Sequence, residues 1–289
     1  MDTTKGFQYQ LVGAKHGCML AVSLYTLRRF HSEPIQIVCG DSAALWTAHH
    51  IVQSDLAYLD PIQVNSWEAP KEGGKGQQHA NKATGVTLSP FDSTIFLDAD
   101  TTIHARLDEL WPTKDEVHLT RFADWCTTGG IMRGRLQAWK HIMPERVLKM
   151  HCVSYPAINT GVFSFSQHST AYLDKWKEIT DVNPIFMSDE LAAQLLFIDF
   201  PHVVNSDRFN YSPRYSIPND EQIRVIHYHG FQHTRPEKSN GWKTWTGLYR
   251  TCYSDNLCGV REIVKDKHLS SWLVDNPRFL ETGHYGRTP

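Results

Sequence analysis

The stretch Thr94-Ile95-Phe96-Leu97-Asp98-Ala99-Asp100-Thr101-Thr102-Ile103 decides how this chain is read. Thr94 to Leu97 suit a buried strand, and the run ends in two carboxylates one residue apart. Strands of this kind lie inside sheets covered on both faces. In open α/β sheets ligands collect at the carboxyl ends of the strands, so Asp98 and Asp100 stand where a crevice is expected. Two ionised carboxylates so close repel each other, and a divalent cation relieves that repulsion by taking oxygen ligands from both. The competing reading is a solvated strand end with Asp100 capping a turn.

Outward from this segment, strand and helix patterns alternate. Phe7 to Val12 reads as a strand running into Gly13. A helix follows, with Leu20, Leu24 and Leu27 at i, i+4 and i+7. After Pro34, Ile35 to Cys39 is a short apolar run ending at Gly40-Asp41, and Asp41 or Ser42 is placed to cap the next helix. Ile62 to Val64 is a third strand candidate. Lys71 to Gln78, KEGGKGQQ, reads as a polar glycine-rich loop, and Ala80 to Leu88 as helical. This order predicts a Rossmann-like α/β fold, a mainly parallel central sheet with helices on both faces. In the second half, Ala157 to Phe165 and Arg224 to Tyr228 read as strands, and Thr170 to Thr180 and Ser188 to Phe197 as helices. Past His233 clear periodicity is lost until near Val260. The expected organisation is one domain over 1–235, with 236–289 a C-terminal extension packed on it.

Composition narrows the function classes. A chain of 289 residues, 41% apolar and 21% charged, is long enough to bury a core without staples. Its formal net charge of −2 argues against a surface built mainly to hold nucleic-acid phosphates, and leaves a local basic patch open. The six cysteines form no C-x-x-C pair, which disfavours a zinc ribbon or a thioredoxin motif. Cys252 and Cys258 are spaced to bridge a short loop; the plainer expectation is six reduced thiols. The start MDTTKGFQYQ lacks the basic and apolar regions of a signal peptide. No run of about 18 apolar residues is present to span a bilayer. A cytoplasmic protein is expected.

Three further segments carry candidate chemistry. In Ala157 to Phe165, AINTGVFSF, the small polar residues Asn159-Thr160-Gly161 interrupt a strand-like run. Gly161 allows close approach of a ligand or another strand, and Asn159 donates and accepts at once, as sugar hydroxyls require. A bulge explains them equally well. Ser188-Asp189-Glu190 opens a helix, with Ser188 as N-cap and two acids in the first turn. Such a helix start can also face a pocket. In Arg224 to Gly230, RVIHYHG, His227 and His229 share one face of a strand. Neutral imidazole joins carboxylates in Mn²⁺ sites, and a zinc pair or a structural role fits the same spacing.

These four segments, in this order, resemble the glycogenin and bacterial lipopolysaccharide galactosyltransferase group of retaining GT-A glycosyltransferases, over roughly residues 7 to 236. The resemblance implies the GT-A fold and a nucleotide-sugar donor, a UDP-sugar above others. It implies Mn²⁺ or Mg²⁺ held by Asp98, Asp100 and His227, the last in the position of the family's H-[FY]-x-G motif. It implies that Asn159 and Gly161 line the sugar pocket and that Asp189 and Glu190 meet the donor sugar. Lys82 matches the basic residue the family places upstream of its D-x-D. Two departures stand out. The family's K-P-W is missing after H-[FY]-x-G and Arg235-Pro236 stands a little further on, so either Arg235 takes the diphosphate contact or the loop differs. Gly13-Ala14-Lys15-His16 stands in place of the family's nucleobase motif.

The function expected is transfer of a hexosyl or pentosyl group to an acceptor hydroxyl with retention. The acceptor expected is a saccharide, with protein, lipid-linked or modified nucleic-acid acceptors open. The rival readings are a non-catalytic sugar- or nucleotide-binding protein on a GT-A frame, a nucleotidyltransferase and a hydrolase. The segment after the first strand is thin for the glycine-rich basic loop of a nucleotidyltransferase. Nine tryptophans, among them Trp111, Trp125, Trp242 and Trp245, offer stacking platforms or ordinary packing.

Overall fold

The computed structural model describes residues 4–13, 16–53, 62–69, 74–122, 156–184, 188–212 and 223–228. The 235/236 boundary, the C-terminal extension, Trp125, Trp242, Trp245, His229 and Arg235 lie outside them. Nine strands and five α-helices are laid down in these segments: β1 Lys5–Leu11, α1 Gly17–Arg28, β2 Ile35–Cys39, α2 Ser42–Gln53, β3 Ile62–Ser66, α3 Gly74–Val86, β4 Ser93–Leu97, β5 Thr101–Ile103, β6 Val117–Arg121, β7 Ile158–Ser166, α4 Thr170–Val182, α5 Ser188–Leu195, β8 His202–Asn205 and β9 Val225–His227. Seven strands form one sheet in the order β3-β2-β1-β4-β7-β6-β8. Strand β7 runs antiparallel to both its neighbours, and the other pairs are parallel. Strands β5 and β9 form a separate antiparallel ribbon, with Thr101 opposite His227.

Alternation along β1 explains the two layers. Phe7, Tyr9 and Leu11 point to the face covered by α1 and α2, where they join Ile35, Ile37, Ile95, Leu97, Leu20, Leu24 and Leu27 in one core cluster. Trp111 belongs to that cluster, edge-on to Phe7 with ring centroids 5.2 Å apart, so it packs the core. The opposite face carries a second core of Phe96, Phe163, Phe165, Tyr172, Trp176 and Leu191 beneath α4 and α5. Trp176 meets Phe163 edge-to-face at 5.3 Å, and its Nε1–H donates to the Asp189 carbonyl at 2.8 Å. That bond ties the first turn of α5 to the body of α4.

The even residues of β1 are polar and hold α3. Gln8 Nε2 donates to the Gly85 carbonyl at 3.1 Å and to Gln36 Oε1 at 2.9 Å, and Gln10 Nε2 donates to the Asn81 carbonyl at 3.0 Å. Gln36 reaches the Leu88 carbonyl at 2.9 Å. This corrects the loop expected over Lys71 to Gln78: α3 starts at Gly74. Its first turns carry no apolar stripe to betray a helix, and the side-chain amides of the sheet dock it further along, at Asn81 and Gly85.

Asp41 caps α2, its Oδ1 accepting from Ala44 N–H at 2.8 Å while Oδ2 accepts from Gly13 N–H at 2.7 Å. The cap expected of Ser188 is not made. Ser188 is the first residue of α5 itself, and its hydroxyl is buried without a hydrogen-bond partner. Strands β5, β6 and β8 were not expected. Each is three to five residues long, and β6 and β8 mix Val with His, Arg, Thr or Asn, which blurs a period-two signal.

Candidate functional site

The crossing of β4, β7 and the β5–β9 ribbon builds the centre of the site. Strand β4 ends at Leu97, and the Asp98 N–H donates to the Gly161 carbonyl of β7 at 2.8 Å. The chain turns through Asp98-Ala99-Asp100 into β5, with Thr101 Oγ1 closing on the Asp98 carbonyl at 2.8 Å. Pairing of β9 with β5 then brings in His227, whose Nε2 lies 3.1 Å from Asp100 Oδ1 and 3.7 Å from Asp98 Oδ2. The three ligand atoms lie within 4.8 Å of one another.

Gly161 makes this approach possible. A Cβ on it would stand 2.1 Å from His227 Cε1 and 2.5 Å from Nδ1. The close approach inferred from its lack of a side chain is therefore to the imidazole. Asn159 lies two residues away with its amide engaged on both sides. Its Oδ1 accepts from Gly161 N–H at 2.8 Å and from Asn210 Nδ2 at 2.9 Å, and its Nδ2 donates to Glu190 Oε1.

A second charged group adjoins the first. Lys82 Nζ sits 2.9 Å from Asp98 Oδ2 and 3.4 Å from Asp189 Oδ2. Asp189 is buried, accepting from Thr160 Oγ1 at 2.7 Å and pairing with His79 Nδ1 at 3.0 Å. Burial disfavours charge on Lys82, yet Asp98 and Asp189 hold its ammonium above the ordinary lysine value. Burial also opposes charge on Asp189, and Lys82, His79 and Thr160 overcome it, keeping the carboxyl well below the usual range. Asp98 goes the other way: burial raises it, Lys82 and His227 oppose that, and Asp100 adds to the rise. Burial works against an imidazolium at His227 and at His79. Asp100 and Asp98 outweigh it at the first and Asp189 at the second, so both rings are raised. Four acids, Asp98, Asp100, Asp189 and Glu190, thus gather around one lysine and two imidazoles.

Gln10, His16, His79, Lys82, Asp98 and Asp100 line a cavity of about 210 Å³ at the carboxyl ends of β1 and β4. A larger one, about 620 Å³, opens at the ends of β2 and β3 beside Asp41, Trp67 and Cys39. Burial pushes the Cys39 thiol up to about 12, so it stays protonated and inert. A second group with ligand-like spacing, His31, Glu33 and Asp108, is explained internally. His31 Nε2 accepts from Leu107 N–H at 3.0 Å, Nδ1 meets Glu33 at 3.2 Å, and Asp108 pairs with Arg106 at 2.6 Å.

The seven-stranded sheet, its reversed strand β7 and the crevice at the end of β4 can now be set beside known structures. Two crystal structures of the galactosyltransferase LgtC superpose on the chain. One is in complex with donor and acceptor sugar analogs, with TM-score 0.58, and the other is an active-site mutant, with TM-score 0.57. Each covers 85% of this chain and 95% of its own, at 14% identity. The fold is GT-A. No protein-family model matches the chain, and no curated protein matches it. On this GT-A frame, the candidate site residues among the described residues fall in one place. Asp98, Asp100 and His227 converge, Lys82 and Asp189 adjoin them, and Asn159, Gly161 and Glu190 lie just behind.

Two residues of the site escaped the sequence reading. His79 and Lys82 are i and i+3 on α3 and share a face, a spacing that becomes visible once the helix is extended back to Gly74. Asn210 follows a short 3₁₀ turn in an irregular stretch, and nothing in its sequence context marks it.

Proposed function

We propose that this protein is a metal-dependent glycosyltransferase that moves a hexosyl or pentosyl group from a nucleotide-diphosphate sugar, with UDP-sugar the first donor to test, to an acceptor hydroxyl with retention. The observation that carries the reading is the convergence of Asp98, Asp100 and His227 from separate elements at the carboxyl edge of a GT-A sheet. The donor set fits Mn²⁺ or Mg²⁺: two carboxylate oxygens and one imidazole nitrogen. When bound, the ion would neutralise charge on the donor diphosphate.

The chain's own residues supply the rest. Lys82 carries positive charge on the cavity side of α3, where it favours the departing diphosphate, and Asp189 holds the His79 imidazole there above its ordinary value. The bond from the anomeric carbon to the diphosphate oxygen breaks and its electron pair leaves with the nucleoside diphosphate. The acceptor oxygen bonds that carbon, and its proton passes to the departing diphosphate. Asp189 holds His79 and Lys82 in place, and the Asn159–Glu190 pair backs the sugar-facing wall. Arg235 is carried as a diphosphate contact on the family resemblance alone. Among the described residues no helix is long and apolar enough to cross a membrane, and a cytoplasmic location is part of the same reading.

The test is a donor panel read by released nucleoside diphosphate, with Mn²⁺ or EDTA, against saccharide, protein, lipid-linked and nucleic-acid acceptors. Asp98→Asn and Asp100→Asn should each lower turnover by roughly a hundredfold or more, the scale of losing a major electrostatic stabiliser. Undiminished turnover in EDTA would end the metal reading. Nucleotide binding without turnover of any donor would leave a binding protein on a GT-A frame.

A further inference from the structure

Behind the site, backbone groups dictate the direction of a chain of buried hydrogen bonds. The Gly161 N–H can only donate, so the Asn159 atom 2.8 Å away is its carbonyl oxygen. That orientation places Asn159 Nδ2 on Glu190 and leaves Asn159 Oδ1 to accept a second bond, at 2.9 Å from Asn210. The Asn210 atom there must be its NH₂. The same nitrogen lies 2.9 Å from Thr120 Oγ1, whose own proton goes to the Val162 carbonyl at 2.7 Å. Both neighbours on this side of Asn210 are acceptors. Its remaining oxygen therefore faces His227 Nδ1, at 2.8 Å. An oxygen only accepts, so Nδ1 carries the proton and the lone pair of a neutral ring is on Nε2, beside Asp98 and Asp100. Thr120, Asn159, Asn210 and His227 are all buried, so water does not compete for these bonds.

We infer that Asn210 is the positioning residue of the site. It fixes the tautomer and ring plane of His227 for metal binding, and it joins that ligand to the Asn159–Glu190 pair, so that the metal and sugar ends of the site move as one unit. The inference rests on Asp98, Asp100 and His227 being the metal centre. Partners of this kind orient metal-bound imidazoles, and their loss typically costs 10–100-fold in metal affinity.

Two variants separate the two ends of Asn210. Asn210→Leu removes both. Asn210→Asp keeps an oxygen for His227 Nδ1 and loses the NH₂. Mn²⁺ affinity is measured by calorimetry on the full chain without donor, and the protonated ring nitrogen of His227 by ¹⁵N NMR of the metal-free chain at a pH where the ring is neutral. The wild type should carry its proton on Nδ1. Asn210→Leu should mix the tautomers and weaken Mn²⁺ binding about 10–100-fold, while Asn210→Asp keeps the Nδ1–H form and stays within about threefold. Should Asn210→Leu fail to fold, Asn210→Asp still decides: a proton moved to Nε2 in that variant overturns the inference. So does a wild-type ring protonated on Nε2, or an Asn210→Leu protein indistinguishable from wild type. A wild type that binds no Mn²⁺ yet holds the Nδ1–H form, lost in Asn210→Leu, would refute the metal reading and sustain the role of Asn210 in fixing the ring.

Discussion

Gly161 lies under the His227 ring with no room for a methyl group. Gly161→Ala must push the imidazole off the two carboxylates or bend β7 away from β4. Overpacking of this kind costs about 1–3 kcal/mol, and a displaced ligand should weaken Mn²⁺ binding roughly tenfold or more. Denaturant unfolding and a Mn²⁺ titration on the same variant check both parts. Wild-type Mn²⁺ affinity would mean that the strand gives way and the ring stays. At this scale the sequence was most informative about charged groups. Asp98 and Asp100 are legible as a carboxylate pair at a strand end, whereas Lys82, Asp189 and the choice of His227 over His229 came from the family resemblance. Asn210 is neutral and satisfied, in a segment without periodicity, and its importance comes from geometry alone.

Helix α3 shows how an element can be placed by polar rather than apolar contacts. Gln8, fully buried, reaches the Gly85 carbonyl and Gln36, and Gln36 reaches the Leu88 carbonyl. Gln8→Leu keeps the volume and leaves the buried Gln36 Oε1 without its donor, while the Gly85 carbonyl keeps the Leu88 N–H at 3.2 Å. Leaving a buried polar group unsatisfied costs about 1–3 kcal/mol, so the urea midpoint should fall with an unchanged slope, and amide exchange should quicken along α3 before the rest of the domain. A variant as stable as wild type would show that α3 docks through other contacts. Continuous apolar runs made β2 and β4 readable almost to the residue. The start of α3 was unreadable for the opposite reason, since its first two turns carry glycine, lysine and glutamine, and the glutamines of β1 that dock the helix bond it further along, at Asn81 and Gly85.

For the molecule as a whole, the sheet puts all the candidate ligands at one edge, and an ion held there links β4, β5 and β9. Anything that binds only the folded form stabilises it, by about 2.7 kcal/mol at a concentration of 100 times Kd. For a chain of this size that raises the melting temperature by about 4–5 °C. The rise should appear with Mn²⁺ on the wild type and vanish in Asp100→Asn, followed by thermal melting with and without EDTA. An equal rise in both proteins would place the ion elsewhere. The parallel half of the sheet was legible because strand and helix alternate with short links. Strands β6 and β8 were not legible, being short and joined to partners distant in the chain. Their pairing depends on β7, which reverses direction between β4 and β6.

The β5–β9 ribbon also bears on how the chain emerges during synthesis. Asp98 and Asp100 leave the ribosome well over a hundred residues before His227. At ~5–20 residues per second the interval is on the order of ten seconds. Throughout it, the nascent sheet carries a carboxylate pair whose imidazole has not yet been made. Lys82 precedes both acids in the chain and lies 2.9 Å from Asp98 in the finished fold. With His79 it is translated ahead of the acids, so a counter-charge for Asp98 is present in the chain before β9 arrives.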